Sequence, residues 1–120
     1  MNAASFLAEI GAATAQMGYA AAKAAVVQLT RDLGIHLARS GIRVNAVLYG
    51  PIDTANQREV FDRNPGALDR RLVHWPMRRF GTLYEAAATV AFLASDDAGF
   101  ITAHAIALDG GITRAFTVPE

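Results

Sequence analysis

The chain has 120 residues, 52% of them apolar, with 11 basic and 11 acidic side chains. This is the composition of one globular domain and argues against a disordered tail or charged arm. Balanced charge with no Lys/Arg run offers no footprint for nucleic acid or an anionic bilayer, and no apolar run is long enough to span a membrane. With no cysteine, disulfides, zinc thiolates and thiol nucleophiles are excluded. The apolar N-terminus lacks a basic leader and is interrupted by Glu9, so no signal peptide is expected and a soluble, cytoplasmic protein is.

In chain order, Val26, Leu29, Leu33 and Leu37 recur at three- and four-residue spacing and predict a helix over 18–40, with these residues as its buried stripe. Gly41 stands where a left-handed C-terminal cap is wanted, and "IRVNAVL" predicts a strand over 42–48. Gly50-Pro51 breaks that strand. From 52 to 81 the sequence is polar and irregular, with a turn at "DRNPG" and an apolar cluster at Leu72, Val73, Trp75 and Met77. A connection this long reads as a lid or substrate loop, a tolerated insertion being the alternative. Thr82 and Glu85 have capping-box spacing and open a helix over 83–95; "AIALDGG" gives a strand over 104–109.

Helix, strand, loop, helix, strand is the order of a parallel α/β sheet with crossovers. Two strands alone cannot make a doubly wound sheet, whose strands need both faces covered and neighbours on their edges. The expectation is therefore a single partial domain over 1–120, the C-terminal half of a doubly wound parallel-sheet (Rossmann-type) fold whose N-terminal strands are absent.

Tyr19 and Lys23 lie four residues apart, on one face of the first predicted helix. A phenol ordinarily titrates near 10 and shuttles protons poorly at neutral pH, but a nearby cation favours the phenolate. Such a pair suits general acid/base work on a carbonyl or alcohol oxygen. The spacing is also compatible with a tyrosine packed by its ring beside a snorkelling lysine.

Ser5, "GYAAAKAAVVQLTRDLG", "GIRVNAV", "GPIDT", "RRFGTLYEAAATVAFLASDDAGFITA" and "LDGG" follow one another in an order and spacing that resemble the short-chain dehydrogenase/reductase family from its catalytic segment onward. The resemblance implies an NAD- or NADP-dependent oxidoreductase acting on a small carbonyl compound or secondary alcohol. Tyr19 would be the acid/base. Lys23 would favour its ionised form and hold the nicotinamide ribose, and Ser5 would hydrogen-bond the reacting oxygen. Gly50, Ile52 and Thr54 would meet the nicotinamide end of the cofactor, Ile52 through its backbone. The resemblance also implies a homo-oligomer. The second reading is a non-catalytic pairing module, using the apolar face of the 18–40 helix. Trp75, Met77 and Phe80, beside Arg78 and Arg79, would wall an apolar pocket or anchor the loop.

Departures from the family pattern are equally specific. Tyr49 stands where proline is common, and the glycine-rich pyrophosphate turn and the active-site asparagine of the preceding helix have no counterpart. Met1 falls where an aliphatic strand residue is usual, which points to a truncated gene or an internal start. Asn45 and Asp109 are expected to order backbone. His36, His74 and His104 lack ligand spacing, so no metal site is expected.

Overall fold

A computed structural model describes residues 1–116. Its sheet has three parallel strands in sequence order: β1 (Asn2–Ser5), β2 (Asn45–Tyr49) and β3 (His104–Leu108). Helix α1 (Met17–Leu37) links β1 to β2. Helices α2 (Ala55–Asp62), α3 (Ala67–Leu72) and α4 (Leu83–Ala94) lie between β2 and β3. The architecture is α/β with a parallel sheet, as the element order requires.

The central strand carries the core. Ala46, Val47 and Leu48 are all buried to 1% exposure or less, and their alternation sends successive side chains to opposite faces. Ala46 and Leu48 join Ala4 and Val27 under α1. Val47 joins Leu93 and Ala98 under α4. One helix on each face is what a buried parallel strand requires.

Helix α1 corrects the expected stripe. Its buried residues are Val27, Thr30 and Gly34, whereas Leu29 and Leu33 are 54% and 38% exposed. The face chosen is the one that permits close approach: a Cβ on Gly34 would lie 2.6 Å from the Cα of Ala103. Thr30 causes no polar penalty there, because its hydroxyl donates to Val26 O (2.7 Å) and accepts from Asn2 Nδ2 (2.9 Å). Gly41, at φ 73°, closes the helix as a left-handed cap after the tight turn Ala38–Ser40.

Three further expectations change. The first strand, "NAAS", was invisible to the pattern because alanine is a poor strand former; its pairing with 46–49 supplies the order. The 52–81 segment contains α2 and α3, short helices with no buried residue, so there was no apolar period to read. Strand β2 starts at Asn45 rather than Ile42, because the preceding residues bond elsewhere. Arg43 donates to the carbonyls of Leu93 (2.8 Å), Ser95 (3.0 Å) and Ile101 (3.3 Å), and Val44 N–H goes to Thr102 Oγ1 at 3.0 Å. Asn45 completes this polar clasp, donating to Ile101 O (2.7 Å) and accepting from His104 N–H (3.1 Å). Trp75 and Phe61 both meet Phe80 edge-on, with centroids 5.2 and 5.7 Å away, so these rings anchor the segment on itself.

The Gly34 contact yields a test. Gly34→Ala should force α1 away from Ala103 and lower unfolding stability by about 1–3 kcal/mol, despite alanine's better helix propensity. Urea denaturation measures it; a stability gain would show that the helix can shift freely.

Candidate active site

The C-terminal ends of the three strands form one row, in which Ser5, Tyr49 and Leu108 are register partners. Ser5 is 4% exposed. Its Oγ accepts from the N–H of Leu7 at 3.2 Å, capping the turn Phe6–Ala8, and its hydroxyl hydrogen remains to donate. The chain then enters α1, whose first two turns carry Tyr19 and Lys23. Lys23 Nζ donates to the carbonyl of Ala3 at 3.0 Å and sits 5.7 Å from the centroid of the Tyr19 ring. The lysine thus ties the phenol, itself 47% exposed, to the strand that ends in Ser5.

Gly50, Ile52 and Thr54 come together on one groove of about 320 Å³, with Tyr49, Gln57 and Leu83 also on its walls. Gly50 leaves the sheet with its N–H donated to Leu108 O (2.9 Å), and a Cβ there would lie 2.5 Å from Asp109 Cα. Ile52 forms a parallel bridge with Gly81. The bonds of that bridge are made by its neighbours: Gly81 N–H to Pro51 O (2.9 Å) and Asp53 N–H to Gly81 O (2.8 Å). Ile52's own N–H and C=O therefore face the other way and have no backbone partner among the described residues. Thr54 Oγ1 accepts from Gln57 N–H (3.2 Å) as the N-cap of α2, which leaves its hydrogen free to donate.

These features fit the nicotinamide end of a dinucleotide. A carboxamide needs one donor and one acceptor, and the Ile52 peptide groups offer both in a mostly buried position. Sequence reasoning missed the contributions of Gln57 and Leu83. The three-residue step from Thr54 to Gln57 is an N-cap spacing that would have revealed α2 and the groove wall it makes.

The far wall depends on Glu85. Its carboxylate accepts from Arg79 Nη1 and Nη2 (2.9 and 2.6 Å), from Thr82 N–H (2.7 Å) and from Thr82 Oγ1 (3.0 Å). The Arg79 hydrogen bonds, and then the Thr82 bonds, pull its pKa down to about 2. This capping box fixes the first turn of α4, from which Leu83 reaches the groove. On the α2 side, Arg58 forms a fork with Asp53 (2.5 and 2.6 Å) and lowers the Asp53 pKa. Asp109 orders the last turn by accepting from Gly111 and Thr113 N–H, each at 2.9 Å.

Residues 1–113 match the family model described as enoyl-(acyl carrier protein) reductase. The chain is 42% identical over 98 residues to 2-(S)-hydroxypropyl-CoM dehydrogenase 3 of Xanthobacter autotrophicus, covering 79% of this chain and 38% of that protein. It is 40% identical over 106 residues to levodione reductase of Leifsonia aquatica, covering 84% of this chain and 40% of that one. Among solved structures, ElxO with NADP bound superposes with a TM-score of 0.86 at 32% identity, over 95% of this chain and 46% of that one. The chain thus spans less than half the length of these relatives.

Because the folded-state pKa of Glu85 lies below its ordinary 4.5, its contribution to stability is complete above about pH 4.5 and is lost as pH falls through about 2. Melting temperature should therefore fall less steeply between about pH 5 and pH 2 in Glu85→Gln than in the wild type. Parallel slopes would show that the Arg79–Glu85 contact carries no folding linkage.

Proposed function

Because this chain belongs to the short-chain dehydrogenase/reductase family, we propose that it carries the proton-transfer and nicotinamide-contacting part of an NAD- or NADP-dependent oxidoreductase. Its substrate class is a small carbonyl compound or the corresponding secondary alcohol. The observation that supports this best is the convergence at one end of the sheet: Ser5 is the register partner of Tyr49, one residue before the Gly50–Thr54 groove, on the strand to which Lys23 ties the Tyr19 helix.

Bound NADH or NADPH would supply the hydride for reduction, and bound NAD+ or NADP+ would accept it for oxidation. In the reductive direction the Tyr19 hydroxyl donates a proton to the substrate oxygen, and in the oxidative direction the Tyr19 phenolate takes one back. The Lys23 ammonium stabilises the negative charge left on the phenol oxygen. Ser5 donates its free hydroxyl hydrogen to the reacting oxygen and so orients it. Gly50, Ile52 and Thr54 hold the nicotinamide end, the Ile52 peptide groups toward the carboxamide. A cytoplasmic location goes with this reading.

A second reading rests on α1. Leu29 and Leu33, at 54% and 38% exposure, give that helix an outer apolar strip suited to pairing with another copy of the chain, and a homo-oligomer is compatible with either reading. Sedimentation should show an assembly that Leu29→Glu combined with Leu33→Glu dissociates; a monomeric wild type would rule the pairing out.

Expressed from its complete genomic reading frame, the protein should oxidise NADH or NADPH with a panel of ketones. Tyr19→Phe should lower that turnover roughly 10²–10⁴-fold with an unchanged circular dichroism spectrum. Full turnover in the variant would remove Tyr19 from the chemistry.

A further inference from the structure

Two turns leave the sheet on either side of the candidate active site, and one ion pair joins them. Ser5 caps the short turn Phe6–Ala8 by accepting the Leu7 N–H at 3.2 Å, and Glu9 closes that turn by donating its own N–H to Phe6 O at 3.0 Å. At the other edge of the sheet, Gly110 and Gly111 follow β3 with φ of 64° and 91° and lead the chain into a last turn, Ile112–Arg114. Arg114 Nη2 then reaches Glu9 Oε2 at 3.4 Å. The pairs Arg58–Asp53, Arg63–Glu59 and Arg79–Glu85 connect near neighbours in sequence, whereas this one connects the first ten residues to the last ten. Because β1 and β3 flank β2, about 10 Å apart at two strand spacings, the tie must pass the exit of the central strand.

Neither turn contains a buried residue, so contact and polar ties decide where each one rests. Asp109 holds the last turn by accepting from Gly111 and Thr113 N–H, each at 2.9 Å. Gly111 lies against the 52–81 segment, where a Cβ would come within 3.3 Å of Pro76 Cγ. Against these ties, the Thr113 hydroxyl is buried without a partner among the described residues, a cost that favours release of the turn to water. On the first turn, Ala8 packs at the margin of the α1 cluster, and the Glu9 carboxylate, its side chain 25% exposed, supplies the polar tie to the far edge of the sheet. Loss of that tie would let the turn move, carry the Leu7 N–H away from Ser5 Oγ and free the hydroxyl to rotate. A hydroxyl that must be reoriented in each turnover costs rate rather than cofactor affinity.

We propose that Glu9 and Arg114 are positioning residues for Ser5: their ion pair ties the turn that Ser5 caps to the last turn of the chain and so holds the Ser5 hydroxyl toward the reacting oxygen. The proposal rests on the catalytic reading of Ser5. Arg114 is 72% exposed in its side chain, so the effect is a small factor, roughly two- to fivefold.

The test uses the protein expressed from its complete genomic reading frame and two measurements: hydrogen exchange of the Leu7 amide, and kcat with NADH or NADPH and a ketone. Arg114→Gln and Glu9→Gln should each speed Leu7 exchange and lower kcat roughly two- to fivefold, with the KM for the nucleotide unchanged and the β2 amides still protected. The double Gln variant should be no worse than either single one, and the reversed pair, Glu9→Arg with Arg114→Glu, should recover both quantities. Leu7 exchange that stays at the wild-type rate in both single variants overturns the proposal, whatever happens to kcat, and so do additive losses in the double variant. Should the reversed pair fail to fold, Arg114→Lys decides: wild-type Leu7 exchange upholds the tie, and exchange as fast as in Arg114→Gln overturns it. If the wild type turns over no ketone while Leu7 responds as expected, the catalytic reading of Ser5 falls and the tie to its turn stands.

Discussion

Everything in this molecule follows from a strand that cannot touch water. Residues 45–48 of β2 are buried, so each of their backbone groups needs a partner and each face needs a cover. The two flanking parallel strands satisfy the backbone, and α1 and α4 provide the covers. Parallel neighbours cannot be reached by a hairpin, so the chain must cross over a face each time. The helices exist as crossovers first and as carriers of candidate site residues second. Where β2 begins, Arg43 and Asn45 bind carbonyls at the end of α4 and in the α4–β3 connection, which sets the register of β3 from the N-terminal end of the strands.

Parallel pairing has a functional consequence, because it puts all the strand exits at one end of the sheet. A ligand bound there meets the ends of three strands and the first turns of the helices, the general location of sites in open α/β sheets. Ser5, Tyr49 and Leu108 share a row for this reason, and Gly50 lacks a side chain because Asp109 leaves no room for one. The groove is then completed by capped helices: Thr54 sets the direction of α2, and Thr82 with Glu85 sets that of α4. Hydrogen-bonded caps at both walls make the groove largely pre-formed.

The chain divides into a scaffold and a more self-contained segment. The scaffold residues are the alternating core of β2 and the close-approach glycine of α1. The segment carrying α2 and α3 stands apart from that scaffold, its edge-to-face rings at Phe61, Trp75 and Phe80 holding it to itself. Such a segment can change sequence without disturbing the strands.

Local rules written into the residues determined much of this. The first helix, its Gly41 cap, the capping box of α4 and the parallel order of the elements were all legible, because each depends on neighbours within about one turn or on a period along the chain. The Tyr19–Lys23 pair suggested chemistry only in company with the later motifs. The strand β1, the helices of the 52–81 segment and the buried face of α1 were not. "NAAS" is a strand because residues 44 positions away pair with it, and α2 and α3 bury nothing that periodicity could register. Leu29 and Leu33 lost the inner face of α1 to Val27, Thr30 and Gly34 because backbone approach at Ala103 favours the smallest residues, a constraint that arises only when helix and sheet are in contact. The groove that joins Tyr49 to Ile52 and Thr54 was decided in the same way. Which peptide groups stay unpaired depends on where Gly81 docks, and docking is a property of the tertiary structure.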